Sequence, residues 1–199
     1  GTGNVLINGS GNVGIGTTGP NRQLTVSKAD TATNFGSHTG PVIAITQTDT
    51  TVNNQASLLF QSGNGAVAEI TSKITNHSSN YGDLLFGTRS AGGYTAKMTI
   101  LSTGNVGIGT TAPTSPLTIK SNSTSSSSSG LTIQANGNTN DIFQLGEKST
   151  DGSRLQMLDA GVVKIALYSD GTDNYINAGN VGIGTTSPIG KLNVSKDST

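Results

Sequence analysis

An eight-residue sequence, Gly-Asn-Val-Gly-Ile-Gly-Thr-Thr, occurs three times without a change, at residues 11–18, 104–111 and 179–186. Each copy continues with one variable residue and a proline, and a leucine follows four positions after that proline. The spacing between copies varies while the copies themselves do not, which predicts a repeating structure whose most constrained part is this segment. We call each ten-residue segment that ends at the proline a joint: residues 11–20, 104–113 and 179–188.

The joints divide the chain into modules. Residues 1–10 are predicted to end a preceding module, residues 11–103 to form a first module, residues 104–178 a second, and residues 179–199 the start of a third. Because the chain starts inside one predicted module and stops inside another, we expect it to be a piece of a longer protein.

Composition indicates that one chain cannot form a large core alone. Of the 199 residues, 32% are hydrophobic, 4% are aromatic, and 28 are glycines, which contribute no side chain to a core. The apolar residues nevertheless recur in short alternating runs, which are typical of β-strands. Composition therefore favours a β-structure with thin cores that gains further burial from partner chains.

Charge and cysteine content exclude several kinds of partner and cofactor. The chain has 11 basic and 11 acidic residues, and the basic ones are scattered, so no basic patch for nucleic acid is expected. No apolar stretch is long enough to cross a membrane. With no cysteine, disulfides and thiolate metal sites are excluded, and we expect neither a cofactor nor a metal.

Short segments rich in β-branched residues and bounded by Gly, Asn, Ser and Pro predict strands. No segment has convincing helical periodicity, so the predicted fold class is all-β. The serine-rich tract at residues 121–130 has the composition of a linker. Strands are predicted at residues 4–8, 24–26, 42–45, 57–60, 66–74, 83–86, 97–101, 117–119, 131–133, 141–145, 154–157, 163–167 and 174–177.

The joint itself alternates as a strand does. Val13 and Ile15 should point to one face, whereas Gly14 and Gly16 leave the other face without side chains, so that another backbone approaches closely or the chain bends sharply. Pro20 then ends the strand. We expect each joint to be a collar in which three identical chains interlock and share one apolar layer. The residues assigned to the joints are Gly11, Val13, Gly14, Ile15, Gly16, Pro20, Gly104, Val106, Gly107, Ile108, Gly109, Pro113, Gly179, Val181, Gly182, Ile183, Gly184 and Pro188.

The joint, with the Leu-x-Val or Leu-x-Ile that follows it, resembles repeats in phage tail fibres, especially the shafts that precede a C-terminal intramolecular chaperone of the endosialidase type. The Leu-Leu-Phe and Met-Thr-Ile segments at residues 84–86 and 98–100 are similar to those shafts as well. The resemblance covers most of the chain. It implies an elongated homotrimer in which β-modules lie intertwined or side by side about a threefold axis, as in a β-prism or β-helix-like shaft.

The function implied by the resemblance is structural: the shaft of a viral tail fibre, extracellular on the virion, that supports host attachment. Its partner is the chain itself, as a homotrimer and in a longer fibre, with host-surface glycan or protein bound through other regions. The alternative is a bacterial surface or extracellular filament adhesin built from the same repeat. No enzyme activity is expected, because the nearest acidic pairs lie in turn-like sequence and no Ser-His-Asp arrangement is indicated. The chaperone domain with its self-cleaving serine is not in this chain, and no residue role is taken from it.

Other interpretations of single residues are less well supported. The glycine spacing of a joint is superficially like that of a dinucleotide-binding loop. The sequence after the joint predicts neither the helix nor the acidic residue that such a loop requires. Residues 170–174 are rich in Asp, Gly and Asn but do not have the spacing of a calcium loop, and the acidic pairs Asp170/Asp173 and Glu147/Asp151 lie in turn-like sequence.

His38 and His77 are interpreted as surface residues. The aromatic residues Phe60, Phe86, Tyr94, Phe143 and Tyr175 are expected to form a thin core rather than sugar-binding platforms.

Overall fold

The computed structural model describes residues 5–28, 41–63, 65–121, 129–149, 151–177 and 179–195. Every regular element in these residues is a β-strand, which confirms the predicted all-β class. Most of the serine-rich tract, together with His38, lies outside the described residues. The strands are β1 (Val5–Ile7), β2 (Val13–Ile15), β3 (Leu24–Val26), β4 (Gln55–Ser62), β5 (Gly65–Asn76), β6 (Tyr81–Ser90), β7 (Gly93–Ile100), β8 (Val106–Ile108), β9 (Leu117–Ile119), β10 (Leu131–Gln134), β11 (Asp141–Ser149), β12 (Gly152–Asp159), β13 (Val162–Tyr168), β14 (Tyr175–Ile176), β15 (Val181–Ile183) and β16 (Leu192–Val194).

The chain divides into two units, Gly1–Asp49 and Thr50–Thr199. In the first unit, β1, β2 and β3 form one sheet in that order, with β2 antiparallel to β1 and parallel to β3. The strand predicted at residues 42–45 is wrong, because residues 41–49 form no regular structure and Val42, Ile43 and Ile45 are exposed. Alternation supplies residues suited to a strand, but a strand also needs a partner for its backbone, and no strand of the described residues pairs with residues 42–45.

The second unit contains three sheets. Strands β4 to β9 form a six-stranded sheet in chain order, β10 to β14 form a five-stranded sheet in chain order, and β15 and β16 form a parallel pair. The six-stranded sheet extends across the predicted module boundary at residues 103/104, because β7 of the first module pairs with β8 of the second joint. The second joint is therefore the end of the sheet that precedes it.

Tight hairpins explain why neighbouring strands follow one another in the sheet. Strands β11 and β12 are joined after Ser149 pairs with Gly152, and Asp151 in the loop has φ of 61°. Strands β12 and β13 turn at Ala160 and Gly161, whose φ angles are 49° and 80°. Two-residue loops with positive φ match the right-handed twist of the strands they connect, so they favour antiparallel neighbours.

The side chains that the isolated chain buries are mostly polar. In the six-stranded sheet, Thr71 and Thr99 are 1% and 2% exposed. In the five-stranded sheet, Gln144 is 2% exposed, and Ala166 is the one fully hidden hydrophobic residue in the described part of the chain. A globular domain of this size normally buries its apolar side chains first. Here most of the large apolar side chains are on the surface of the single chain instead.

Candidate functional site

The three joints share one local fold. In each, the Val-Gly-Ile strand runs parallel to the short strand that follows the proline: Val13 lies opposite Leu24, Val106 opposite Leu117, and Val181 opposite Leu192. The partner is always eleven positions further along the chain. Adjacent parallel strands usually need a dozen or more residues between them, so the joint makes an unusually tight crossover.

The glycine that ends each joint strand allows the chain to leave the sheet. Gly16 has φ of 73°, in the left-handed region that favours glycine. A Cβ atom on Gly16 would stand 2.1 Å from the carbonyl oxygen of Ser27, which follows β3. The same position in the other joints behaves alike, with φ of 71° at Gly109 and 74° at Gly184.

The central glycine of each joint packs against its own crossover. A Cβ atom would stand 2.7 Å from the carbonyl oxygen of Thr17 at Gly14, 2.5 Å from that of Thr110 at Gly107, and 2.3 Å from that of Thr185 at Gly182. Real Cβ atoms are not found so close to a backbone oxygen. The sequence left open whether another backbone approaches these glycines or the chain bends. In the described contacts, the approaching backbone belongs to the same joint.

Two side chains fix the crossover by hydrogen bonds that the sequence interpretation did not assign. The amide nitrogen of the joint asparagine donates to the carbonyl oxygen of the joint proline, at 3.3 Å for Asn12, 3.4 Å for Asn105 and 3.2 Å for Asn180. The hydroxyl of Thr17 accepts from the backbone N–H of Gly19 at 3.2 Å, and the equivalent threonines do the same. The invariance of asparagine and threonine in all three copies was the available signal.

In the first two joints, the crossover covers the central glycine and leaves the valine–isoleucine face uncovered. In the first joint, Ile15 is 40% exposed, although Gly14 beside it is buried. Cross-strand partners point to the same side of a sheet. The pairs in this sheet therefore place six apolar side chains on one uncovered face: Val5, Ile7, Val13, Ile15, Leu24 and Val26.

The uncovered face of the second joint continues across the whole six-stranded sheet. Each strand contributes one apolar residue directly opposite the next, and Ile108 of the joint stands opposite Met98 of β7. These six residues form a row that we call the first apolar ladder. None of them is buried in the chain. In order across the sheet they are Leu58, Ile70, Phe86, Met98, Ile108 and Ile119.

The five-stranded sheet has the same arrangement. Met157 is 44% exposed and Ile176 is 52% exposed, whereas Gln144 and Gln156 on the opposite face are buried. We call the row through Met157 the second apolar ladder. Its residues, in order from β10 to β14, are Ile133, Phe143, Met157, Ile165 and Ile176.

The third joint departs from the first two on one side. Its predicted lead-in strand, residues 174–177, is present as β14, but β14 pairs with β13. In the described residues, β15 pairs with β16 alone, so it has no antiparallel neighbour equivalent to β1 or β7. The crossover nevertheless keeps its glycine geometry and its asparagine–proline hydrogen bond.

The remaining candidate residues include Asp170 and His77, which both lie in turns of the described part of the chain. No group of three potential metal ligands occurs there. Asp170 lies in the turn after β13 and accepts from Nζ of Lys148 at 2.7 Å; this hydrogen bond, with a further one from Thr172, holds the pKa of the Asp170 carboxyl well below its usual range. His77 lies in the turn between β5 and β6 and is half-buried.

The aromatic residues do not form a core within the chain. Phe60, Tyr94 and Tyr175 are between 41% and 49% exposed, which is contrary to the expectation. Phe86 and Phe143 are half-buried and belong to the two apolar ladders.

No protein-family model matches the chain, and no curated protein sequence matches it. Among the described residues, there is no helix of the length and hydropathy needed to cross a membrane.

Proposed function

We propose that this chain is a structural shaft segment of a homotrimeric viral tail fibre that supports host attachment, and that the apolar ladders are its assembly faces. The observation that carries the proposal is the reversed burial of the two sheets. Each hides a polar row and leaves an apolar row bare, which is the reverse of what a monomeric domain requires.

Covering the ladders would supply the burial that one chain lacks. Ile108 is 39% exposed, Leu58 is 48% exposed, and Met157 is 44% exposed. Burial of a whole aliphatic side chain contributes about 1.5–3 kcal/mol, so covering the exposed part of each residue contributes about 1 kcal/mol. Repeated over two ladders and three chains, this gain is large enough to hold a stable assembly.

A second copy of the same chain is the partner that fits these faces best. The ladders are flat rows of aliphatic, thioether and aromatic side chains without a charged residue, so they complement one another. Self-association also brings together joints of identical sequence. Identical faces related by rotation give a closed assembly, and the resemblance to tail-fibre shafts favours three chains about one axis.

The position of the joints supports a role as a spacer rather than as a ligand site. The glycines and the asparagine of each joint make contacts within the joint. The central glycine packs against a threonine carbonyl, and the asparagine donates to the proline carbonyl. A repeated rigid connector between sheets is what a shaft needs to hold a receptor-binding region away from the particle.

Electron microscopy of the purified chain tests this function. The proposal predicts rods whose averaged cross-section has threefold symmetry. Rods attached to phage tails in infected cultures would support the viral assignment, whereas filaments anchored to a bacterial surface would favour the adhesin. Compact single-chain particles would contradict both.

A further inference from the structure

The polar face of the five-stranded sheet contains a buried arginine without a partner. Arg154 on β12 is 7% exposed. Its Nε is buried and forms no hydrogen bond, and no carboxylate of a described residue lies within 4.0 Å of its guanidinium nitrogens. A guanidinium keeps its charge in proteins, and burying an unpaired charge is unfavourable. The terminal guanidinium nitrogens have no protein partner among the described residues and face the cavity, so this position is suited to an anion.

A second unsatisfied group faces the same cavity. Gln144 on β11 is 2% exposed, and its Oε1 accepts no hydrogen bond, although its Nε2 donates to Oδ2 of Asp141 at 2.7 Å. Both side chains line a cavity of ≈ 380 Å³, together with Asn140 and Gln156. That volume lies in the range of small-molecule sites, about 300–1,000 Å³.

The neighbouring carboxylate restricts the charge of the ligand. Both oxygens of Asp141 already accept hydrogen bonds, from Gln144 and from Nε2 of Gln134 at 3.2 Å, which fixes Asp141 away from the guanidinium. A fixed negative charge on the cavity wall disfavours a dianion such as phosphate. A planar monoanion, by contrast, matches the two parallel N–H donors of an arginine.

We propose that this cavity binds a carboxylate-bearing carbohydrate, with the carboxylate on Arg154 and an adjacent hydroxyl donating to Oε1 of Gln144. A hydroxyl is needed because the unsatisfied atom of Gln144 is the acceptor Oε1, to which a simple carboxylate cannot donate. The cavity lies on the face opposite the second apolar ladder, so the site is independent of the proposed assembly.

The test uses the native protein with D-glucuronate as the probe and D-glucose and inorganic phosphate as comparisons. Calorimetry should detect binding of glucuronate and not of glucose, with phosphate weaker than glucuronate. Arg154→Gln should weaken glucuronate binding at least about tenfold, because a charge-assisted hydrogen bond is lost. Arg89→Gln is the matched control, since Arg89 is exposed and lies over the Tyr94 ring at 5.7 Å from its centroid.

A second readout does not depend on the variant folding. Arginine-specific labelling with phenylglyoxal, read by peptide mass spectrometry, should show Arg154 protected by glucuronate and Arg89 unaffected. Equal binding of glucose, tighter binding of phosphate, or unchanged binding by Arg154→Gln would overturn the proposal. It would also be overturned if Arg154 were fully protected without any ligand, because the guanidinium would then be inaccessible to one.

Discussion

The α-carbon of Gly107 lies so close to the carbonyl oxygen of Thr110 that a Cβ atom there would stand 2.5 Å from it. The neighbouring atom is backbone, which cannot move aside as the end of a flexible side chain can. The tight crossover therefore depends on glycine at this position. The equivalent contacts at Gly14 and Gly182 require glycine for the same reason.

Gly107→Ala should destabilise the protein by about 1–3 kcal/mol, because the crossover must shift to make room for the added methyl group. The free energy of unfolding in urea measures this change. Gly137→Ala is the matched control: a Cβ atom there would meet nothing within 4 Å, so its stability should change little. Equal stability of the two variants would show that the crossover is not tightly packed.

Charge on the first apolar ladder should prevent assembly. Ile108→Lys places an ammonium group on the face that we assign to the interface, and burying an unpaired charge costs more than the about 1–3 kcal/mol of a neutral polar group. We expect association to weaken by at least about a hundredfold in sedimentation equilibrium. Ala91→Lys adds the same charge in the exposed turn between β6 and β7 and should leave association unchanged.

The asparagine of each joint should be needed as a hydrogen-bond donor. Asn105→Asp replaces the N–H that points to the Pro113 carbonyl with an oxygen, so stability at pH 7 should fall by about 1 kcal/mol. The loss should shrink at a pH low enough to protonate the new carboxyl, which is then a donor again. Asn138→Asp is the control, because Asn138 acts as an acceptor, for the N–H of Asn140 at 2.8 Å. A loss that stays the same at low pH would contradict this role.

Asp170 should contribute to stability in a pH-dependent way. The hydrogen bond from Lys148 lowers its pKa in the folded state, so its contribution is complete above the unfolded-state pKa of about 3.9 and is lost as pH falls through the folded-state value. Urea midpoints of the wild type and Asp170→Asn should differ at pH 7 and converge toward pH 2. Asp173→Asn is the control, since Asp173 is exposed in the same turn. A difference that persists unchanged at pH 2 would refute the assignment.

The strands could be predicted from sequence because alternation and turn residues act locally. The strand expected at residues 57–60 lies inside β4, and that at residues 163–167 lies inside β13. Residues 42–45 have the same local signal and form no strand. Whether a strand-prone segment finds a backbone partner depends on the rest of the fold, which the pattern does not contain.

The pairing inside the joint was harder to predict. The constant eleven-residue spacing from Val13 to Leu24 was visible in the sequence, but parallel neighbours this close are uncommon, so the spacing suggested no pairing. The sequence placed Val13 and Ile15 on one face and Gly14 on the other, and the described strand has that alternation. The sequence left open what would lie against the glycine face, and it did not indicate that the covering backbone would be that of Thr17 in the same joint.

We propose that the apolar ladders join three copies of this chain, and native mass spectrometry of the purified protein across a range of concentrations measures that number. One dominant species at three times the mass of a single chain is expected, and Ile108→Lys should convert it to single chains. A folded, monodisperse single chain at every concentration would contradict it.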